Sequence, residues 1–230
     1  MLQRLSERGR ARPERLRYHP APVTAPVPLS ALARLSVAVV QGRWELLGEL
    51  LDPPPAPDER VCWREALLQV HLFAGFPRVV EAWGVVERAG GLGEPSPAEV
   101  RAEPDRPEQG SALFGTIYAE QAERVEASLQ GFHPELARWV LGHAYGRVLA
   151  RPWLSAAERE LLAVACLAAL GQDRQLASHV RGALRCGASA VQLRAVLESV
   201  ADLLGDELHR RMLRVSERFL PEVAPPTEPD

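Results

Sequence analysis

The sequence predicts an all-α fold, a helical bundle built from two related units. The alternation of apolar and polar residues that is typical of strands is nearly absent, and Ala, Leu, Arg and Glu dominate. Two capping boxes, Ser155-x-x-Glu158 and Ser189-x-x-Gln192, mark helix starts. The segment 158–170 is apolar on nearly every face, which is typical of a central helix surrounded by other helices.

In the N-terminal half, the predicted elements are separated by Gly and Pro. Residues 1–27 form an arginine- and proline-rich tail, for which we expect a mobile segment, with docking on a neighbouring subunit as the alternative. Residues 28–90 form the first helical unit. Its helices cover about 29–51 with a break near Gly42, then 60–74, then about 77–89 after a stop at Gly75. The Gly-, Pro- and Glu-rich segment 91–110 is the predicted linker.

The C-terminal unit, residues 111–221, contains the more regular helix signals and the candidate site, and a tail follows at 222–230. Its predicted helices begin at Ser111 and at 133–135, then at the first capping box, at Gln172 and at the second capping box. A weak internal repeat links the two units, because Leu29-Ser-Ala and Leu154-Ser-Ala each open an apolar helix. The first unit is the degenerate one.

Composition excludes several classes of function. The 230 residues carry a net charge of −3 and are 47% hydrophobic, so neither a broad nucleic-acid surface nor a wholly disordered chain is expected. All 27 basic residues are arginine, and a chain without lysine has neither a Schiff-base lysine nor a P-loop. No apolar run is long enough to span a membrane. The three distant cysteines, Cys62, Cys166 and Cys186, indicate a reducing compartment, and we expect a cytoplasmic protein.

Several stretches together resemble the carboxymuconolactone decarboxylase family, which includes the alkylhydroperoxidase D-like proteins. They run from His143 to Ser155, then Glu158-Arg-Glu-Leu-Leu, then Gln175 to Leu184 and Gly187-Ala-Ser, with 65–77 in the first unit. The resemblance covers roughly residues 28–220. It implies an all-helical homo-oligomer, a trimer or hexamer, with sites near subunit interfaces.

The resemblance also implies specific residues. Peroxidase-type members carry Cys-x-x-Cys four residues before a histidine, and this chain has Gln172 and Gln175 before His179. Glutamine supplies no thiolate, so peroxide reduction is disfavoured. Glu160 stands where relatives have a glutamate that shares proton transfer with the histidine. In the first unit, Glu49 takes the place of the histidine.

His179 is the candidate general acid/base, because an imidazole exchanges protons near neutral pH. A hydrogen-bonded structural histidine is the alternative. Glu160 is its candidate partner, or else a solvated glutamate in the first turns of a helix. Arg151 is a candidate clamp for a substrate carboxylate, or else a surface or capping arginine.

The remaining candidates for substrate binding are Gln172, Gln175, His143, Tyr145 and His71. Gln172 and Gln175 share one helix face with His179, and the other three lie in segments that match the family. Each of these side chains has packing as its alternative. The histidine spacing does not indicate a metal site, and we expect no cofactor.

Two functions of different class follow. The first is cofactor-free acid/base chemistry on a small carboxylated metabolite, with decarboxylation or proton transfer at His179. The second is a non-catalytic oligomer that keeps the fold for binding or assembly.

Overall fold

The computed structural model describes residues 26–100 and 107–220, and those residues contain helices, turns and loops but no strand. The all-α prediction is therefore confirmed. The helices are α1 (Leu29–Gln41), α2 (Trp44–Leu50), α3 (Arg60–Arg88), α4 (Pro107–Tyr118), α5 (Ala122–Phe132), α6 (Pro134–Arg138), α7 (Ala156–Ala169), α8 (Asp173–Arg185), α9 (Ala190–Ser199), α10 (Ala201–Leu204) and α11 (Asp206–Glu217). A short 3₁₀ turn, Ala119–Gln121, precedes α5, and a π-helix, Trp139–Leu149, follows α6.

Two apolar helices, α1 and α7, pack against each other at the centre of the molecule, and α3 packs against both. In α7 every side chain from Arg159 to Ala168 is buried. Both ends of α7 follow the sequence pattern, since Ser155 and Glu158 form the predicted capping box and Gly171 takes a left-handed conformation (φ 64°) beyond its last turn. A helix buried on all sides holds its polar side chains in fixed positions, which is the condition for a precise site.

The two halves of the chain share backbone features. Gly42 follows α1 and Gly171 follows α7, both with positive φ. The predicted break at Gly75 is a kink inside α3 with φ 76° and ψ 162°, and Gly205 precedes α11 with φ 76° and ψ 156°. These matched positions support the proposed internal repeat, which remains a proposal.

A second apolar cluster joins α4 to the π-helix, and it is centred on Phe114, Tyr145 and Leu149. The two helices approach closely at Gly110, where a Cβ would lie 2.7 Å from the backbone nitrogen of Gly146. Only glycine fits this crossing. The π-helix itself differs from the ordinary helix that we predicted there, and π-helical segments are often found at functional sites.

The described part of the predicted linker, residues 91–100 and 107–110, contacts the rest of the chain. Leu92 is 2% exposed within the main core, and the Glu99 side chain is 8% exposed and bonded to Arg64 at 2.8 Å. Helix α4 also begins at Pro107, inside the predicted linker. The tail at 222–230 and all but the last two residues of the tail at 1–27 lie outside the described residues. None of the described helices combines the length and the apolar character needed to cross a bilayer.

Candidate functional site

Helices α7 and α8 bring Glu160 and His179 together. Nδ1 of His179 lies 2.9 Å from Oε2 of Glu160, and the two side chains are 11% and 1% exposed. Burial lowers the pKa of His179, but the charge and the hydrogen bond of Glu160 outweigh burial and raise that pKa above its ordinary value. The buried carboxylate therefore favours the charged form of the imidazole.

The glutamate is tightly enclosed on the side of α8. A Cβ at Gly182 would overlap Oε2 of Glu160 and would lie 2.9 Å from Cγ2 of Ile117 on α4. Gly182 is one turn beyond His179, so one face of α8 both supplies the histidine and leaves room for the carboxylate. This fit leaves the carboxylate little freedom to rotate.

Aromatic side chains complete the surroundings. The ring of Phe73, from α3, meets the His179 ring edge-on at a centroid distance of 6.3 Å. On the other side, the hydroxyl of Tyr145 donates to the hydroxyl of Tyr118 at 3.3 Å. Burial raises the pKa of both phenols, and the charge on Glu160 raises it further, so both hydroxyls keep their protons at neutral pH.

Arg151 does not occupy the place that we predicted for it. Its guanidinium donates to both carboxylate oxygens of Glu65, at 2.6 and 3.0 Å, and to the backbone carbonyl of Glu99 at 3.1 Å. Arg159 donates to the same Glu65 at 2.7 Å. The predicted carboxylate clamp is thus corrected: Arg151 holds a carboxylate of its own chain, 86 residues earlier in the sequence.

His71 and His143 form a separate pair. Their Nε2 atoms are 2.7 Å apart, and Nδ1 of His71 is hydrogen-bonded to the carbonyl of Leu68. The His71 ring also stacks on Phe76 at a centroid distance of 5.0 Å. Substrate binding by His71 and His143 stays a prediction.

The two glutamines lie at the start of α8 and are exposed. Gln172 is the residue that precedes the helix, and no described contact links either glutamine to the Glu160–His179 pair. Substrate binding by Gln172 and Gln175 stays a prediction.

The cysteines are poorly placed for thiol chemistry. Burial raises the pKa of Cys62 to about 11 and that of Cys186 to about 12, with nearby carboxylates adding to both, and burial also raises the pKa of Cys166. Since the thiolate is the reactive form, these raised pKa values disfavour the reactive form of all three cysteines at neutral pH. Among residues 26–100 and 107–220, no group of three or more His, Cys, Asp or Glu side chains is arranged to bind a metal.

A surface cavity of about 530 Å³ lies elsewhere, between α2 and the end of α3. It is lined by Trp44, Leu51, Val85 and Arg88, among others. None of the candidate residues lines this cavity, and it contains no histidine. We therefore place the candidate site at Glu160 and His179.

Sequence reasoning missed Tyr118, Phe73 and Ile117, because each reaches the site from a helix distant in sequence. Gly182 did carry a local signal. A glycine one turn after a candidate histidine indicates a close approach on the same helix face.

Comparisons with known proteins match the C-terminal part of the chain. Residues 134–218 match the model of the carboxymuconolactone decarboxylase family. The chain is also 32% identical, over 135 residues, to Peroxisomal protein 2 of Schizosaccharomyces pombe. That alignment covers 56% of this chain and 62% of the relative, so the chain spans less than two thirds of the relative's length.

The matched segment contains both members of the Glu160–His179 pair, the enclosing Gly182 and the π-helix. Through residues 134–218, the chain is similar to the carboxymuconolactone decarboxylase family.

Proposed function

We propose that this chain is an acid/base enzyme that transfers a proton on a small carboxylated molecule, with decarboxylation as one outcome. The observation that carries the proposal is the 2.9 Å hydrogen bond between the buried Glu160 and His179. His179 is the general acid/base. Glu160 orients the imidazole and stabilises its charged form. The substrate class comes from the family resemblance, and the residues make the chemistry possible.

The two ring nitrogens of His179 have different tasks. Nδ1 carries the proton that is bonded to Glu160, so Nε2 is the atom that exchanges a proton with a substrate. In a decarboxylation, the bond between the carboxyl carbon and its neighbour breaks, CO₂ leaves, and the electron pair stays on the neighbour as an enolate. Nε2 of the charged imidazole then protonates that carbon, and solvent restores the proton.

Peroxide reduction, the alternative activity in this family, is not supported by the cysteines. It requires a thiolate and a resolving thiol. Cys186, which belongs to the same cluster as Tyr145, has a pKa raised to about 12 by burial and by Glu160, and no disulfide joins the three cysteines.

We also propose, from the family resemblance, that the chain forms a trimer or hexamer. Light scattering coupled to size-exclusion chromatography tests this directly, and a monomer at micromolar concentration would contradict it. A cytoplasmic location likewise stays a prediction, since the matched relative is named a peroxisomal protein.

The experiment for the acid/base function is hydrogen exchange in D₂O. The full chain is incubated with a panel of small carboxylated lactones and keto acids, and NMR follows both deuterium uptake at carbon and loss of CO₂. We expect exchange or decarboxylation with a member of the panel, and its loss in His179→Gln and in Glu160→Gln.

The matched control is His209→Gln. His209 also faces a glutamate, at 3.7 Å from Glu198, and its side chain is 13% exposed, but it lies outside the candidate site. Equal turnover by the parent, His209→Gln and His179→Gln would refute the assignment. An inactive parent across the whole panel would refute the substrate class.

A further inference from the structure

One oxygen of Glu160 has no hydrogen-bond partner among residues 26–100 and 107–220. Oε2 is bonded to His179, whereas Oε1 is buried and accepts no hydrogen bond from any described residue. The side chain as a whole is 1% exposed. Buried carboxylate oxygens are almost always hydrogen-bonded, because leaving one without a donor costs free energy. The donor to Oε1 is therefore expected from outside the described residues, and a bound molecule can supply it.

A hydroxyl with a proton to give lies on the neighbouring helix. Ile117 packs against the same glycine that encloses the Glu160 carboxylate, and Tyr118 is the next residue of α4. The oxygen of Tyr118 accepts from Tyr145 at 3.3 Å, which leaves the hydrogen of Tyr118 to be donated elsewhere. Burial and the charge on Glu160 raise the pKa of Tyr118, so that hydrogen is retained.

The two groups are complementary. Glu160 Oε1 accepts only, and the Tyr118 hydroxyl donates, yet the structure contains no hydrogen bond between them. An oxygen that both donates and accepts satisfies both groups at once. Water, an alcohol and an enol have this property, while a carbonyl or an ionised carboxylate oxygen accepts only.

We propose that Glu160 Oε1 and the Tyr118 hydroxyl form a subsite for a hydroxyl oxygen of the ligand, so that the site prefers small hydroxy- or enol-carboxylates over their deoxy analogues. The inference rests on the proposed function, because it uses the same glutamate. It adds Tyr118 as a ligand-binding residue and narrows the substrate class. The ligand carboxylate is directed towards Nε2 of His179, the cation of the site, and away from the glutamate charge.

The test compares lactate with propionate, which differ by one hydroxyl. Each is titrated into the full chain, and the dissociation constant is read from the NMR signals of the His179 ring. A hydrogen bond to a charged group in a buried site predicts at least about tenfold tighter binding of lactate. In Tyr118→Phe, which keeps the ring, we expect the preference to fall to about threefold or less.

Thr116→Val is the matched control. It removes a hydroxyl from the same helix, and that hydroxyl is bonded to the carbonyl of Ala112, so the preference for lactate should be unchanged. Equal affinity of the parent for the two acids, or binding of neither, overturns the subsite. If Tyr118→Phe prefers lactate over propionate as strongly as the parent does, the role of Tyr118 is overturned, and water or another donor binds Oε1.

Failure of this inference is distinguishable from failure of the proposed function. Proton exchange without a preference for lactate leaves the acid/base function standing and removes the subsite. The opposite outcome is a chain that prefers lactate, loses this preference in Tyr118→Phe and exchanges no protons with any substrate. That chain would have a binding site for hydroxy acids but not the proposed acid/base activity.

Discussion

The ion cluster around Glu65 provides the sharpest test of how the chain is stabilised. Glu65 is 1% exposed and accepts from two guanidinium groups, those of Arg151 and Arg159. Arg159 is itself 1% exposed and also donates to Gln69 at 3.2 Å. We predict that Glu65→Gln, which keeps the shape of the side chain and removes only its charge, strongly destabilises the fold.

The magnitude follows from burial. Removing one member of a buried ion pair costs about 3–5 kcal/mol, because the remaining charge stays out of water without compensation. Here the guanidinium groups of Arg151 and Arg159 both lose the charge of Glu65, although Arg159 keeps contacts with the carbonyls of Arg151 and Pro152. For a chain of this size the cost corresponds to a fall in melting temperature of about 6–20 °C.

The chain offers a matched control on its surface. Asp202 also accepts a two-pronged contact from an arginine, Arg34, at 2.6 and 3.0 Å, but its side chain is 61% exposed. Asp202→Asn should therefore cost only about 0.2–1 kcal/mol. Urea unfolding followed by circular dichroism gives both values. Equal costs for Glu65→Gln and Asp202→Asn would refute the argument from burial.

Further predictions concern the site. In Glu160→Gln the pKa of His179 should fall below its value in the parent, because burial then acts alone, and NMR titration of the ring measures it. Because folding raises the pKa of His179, the ion pair contributes its full stabilisation below pH 6.5, and this stabilisation is lost as pH rises through the pKa of the folded state. The free energy of unfolding of the parent, measured relative to the double variant Glu160→Gln/His179→Gln, should therefore decline over that pH range. A difference that does not change with pH would contradict the ion pair. Gly182→Ala should destabilise the fold by about 1–3 kcal/mol, because the new Cβ would overlap Glu160. Gly115→Ala is the control: no atom lies within 4 Å of its new Cβ, so it should stabilise the fold by up to about 1 kcal/mol. Calorimetry that ranks the two variants in the opposite order would contradict the close fit at Gly182. Cys186, with a pKa raised to about 12, should react with a disulfide reagent at pH 8 much more slowly in the folded chain than in urea, and equal rates would show an accessible thiolate.

Local signals in the sequence predicted most of the helices. The two capping boxes form as expected at Ser155 and Ser189, and the break at Gly75 is a kink with positive φ. These features depend on residues within one turn of each other, so the sequence pattern contains the whole interaction. The burial of α7 was likewise predicted from its composition alone.

Contacts between distant segments were beyond that reasoning. Arg151 was assigned to a substrate because its partner, Glu65, lies on a helix 86 residues away. His71 and His143, treated as separate candidates, are bonded to each other across 72 residues. The Glu160–His179 contact was predicted from the family resemblance rather than from spacing, since the two residues lie on different helices.

The surroundings of Glu160 also differ between its two sides. On the side of α8 the carboxylate is closely packed, since a Cβ at Gly182 would overlap Oε2. The phenols of Tyr118 and Tyr145 come from α4 and the π-helix, and Oε1 of Glu160 has no hydrogen-bond partner among the described residues. The helix that carries Tyr118 begins at Pro107, before the segment that matches the family model. We therefore expect the chemistry of the Glu160–His179 pair, which lies inside the matched segment, to be common to similar proteins, and the ligand bound near Tyr118 to differ between them.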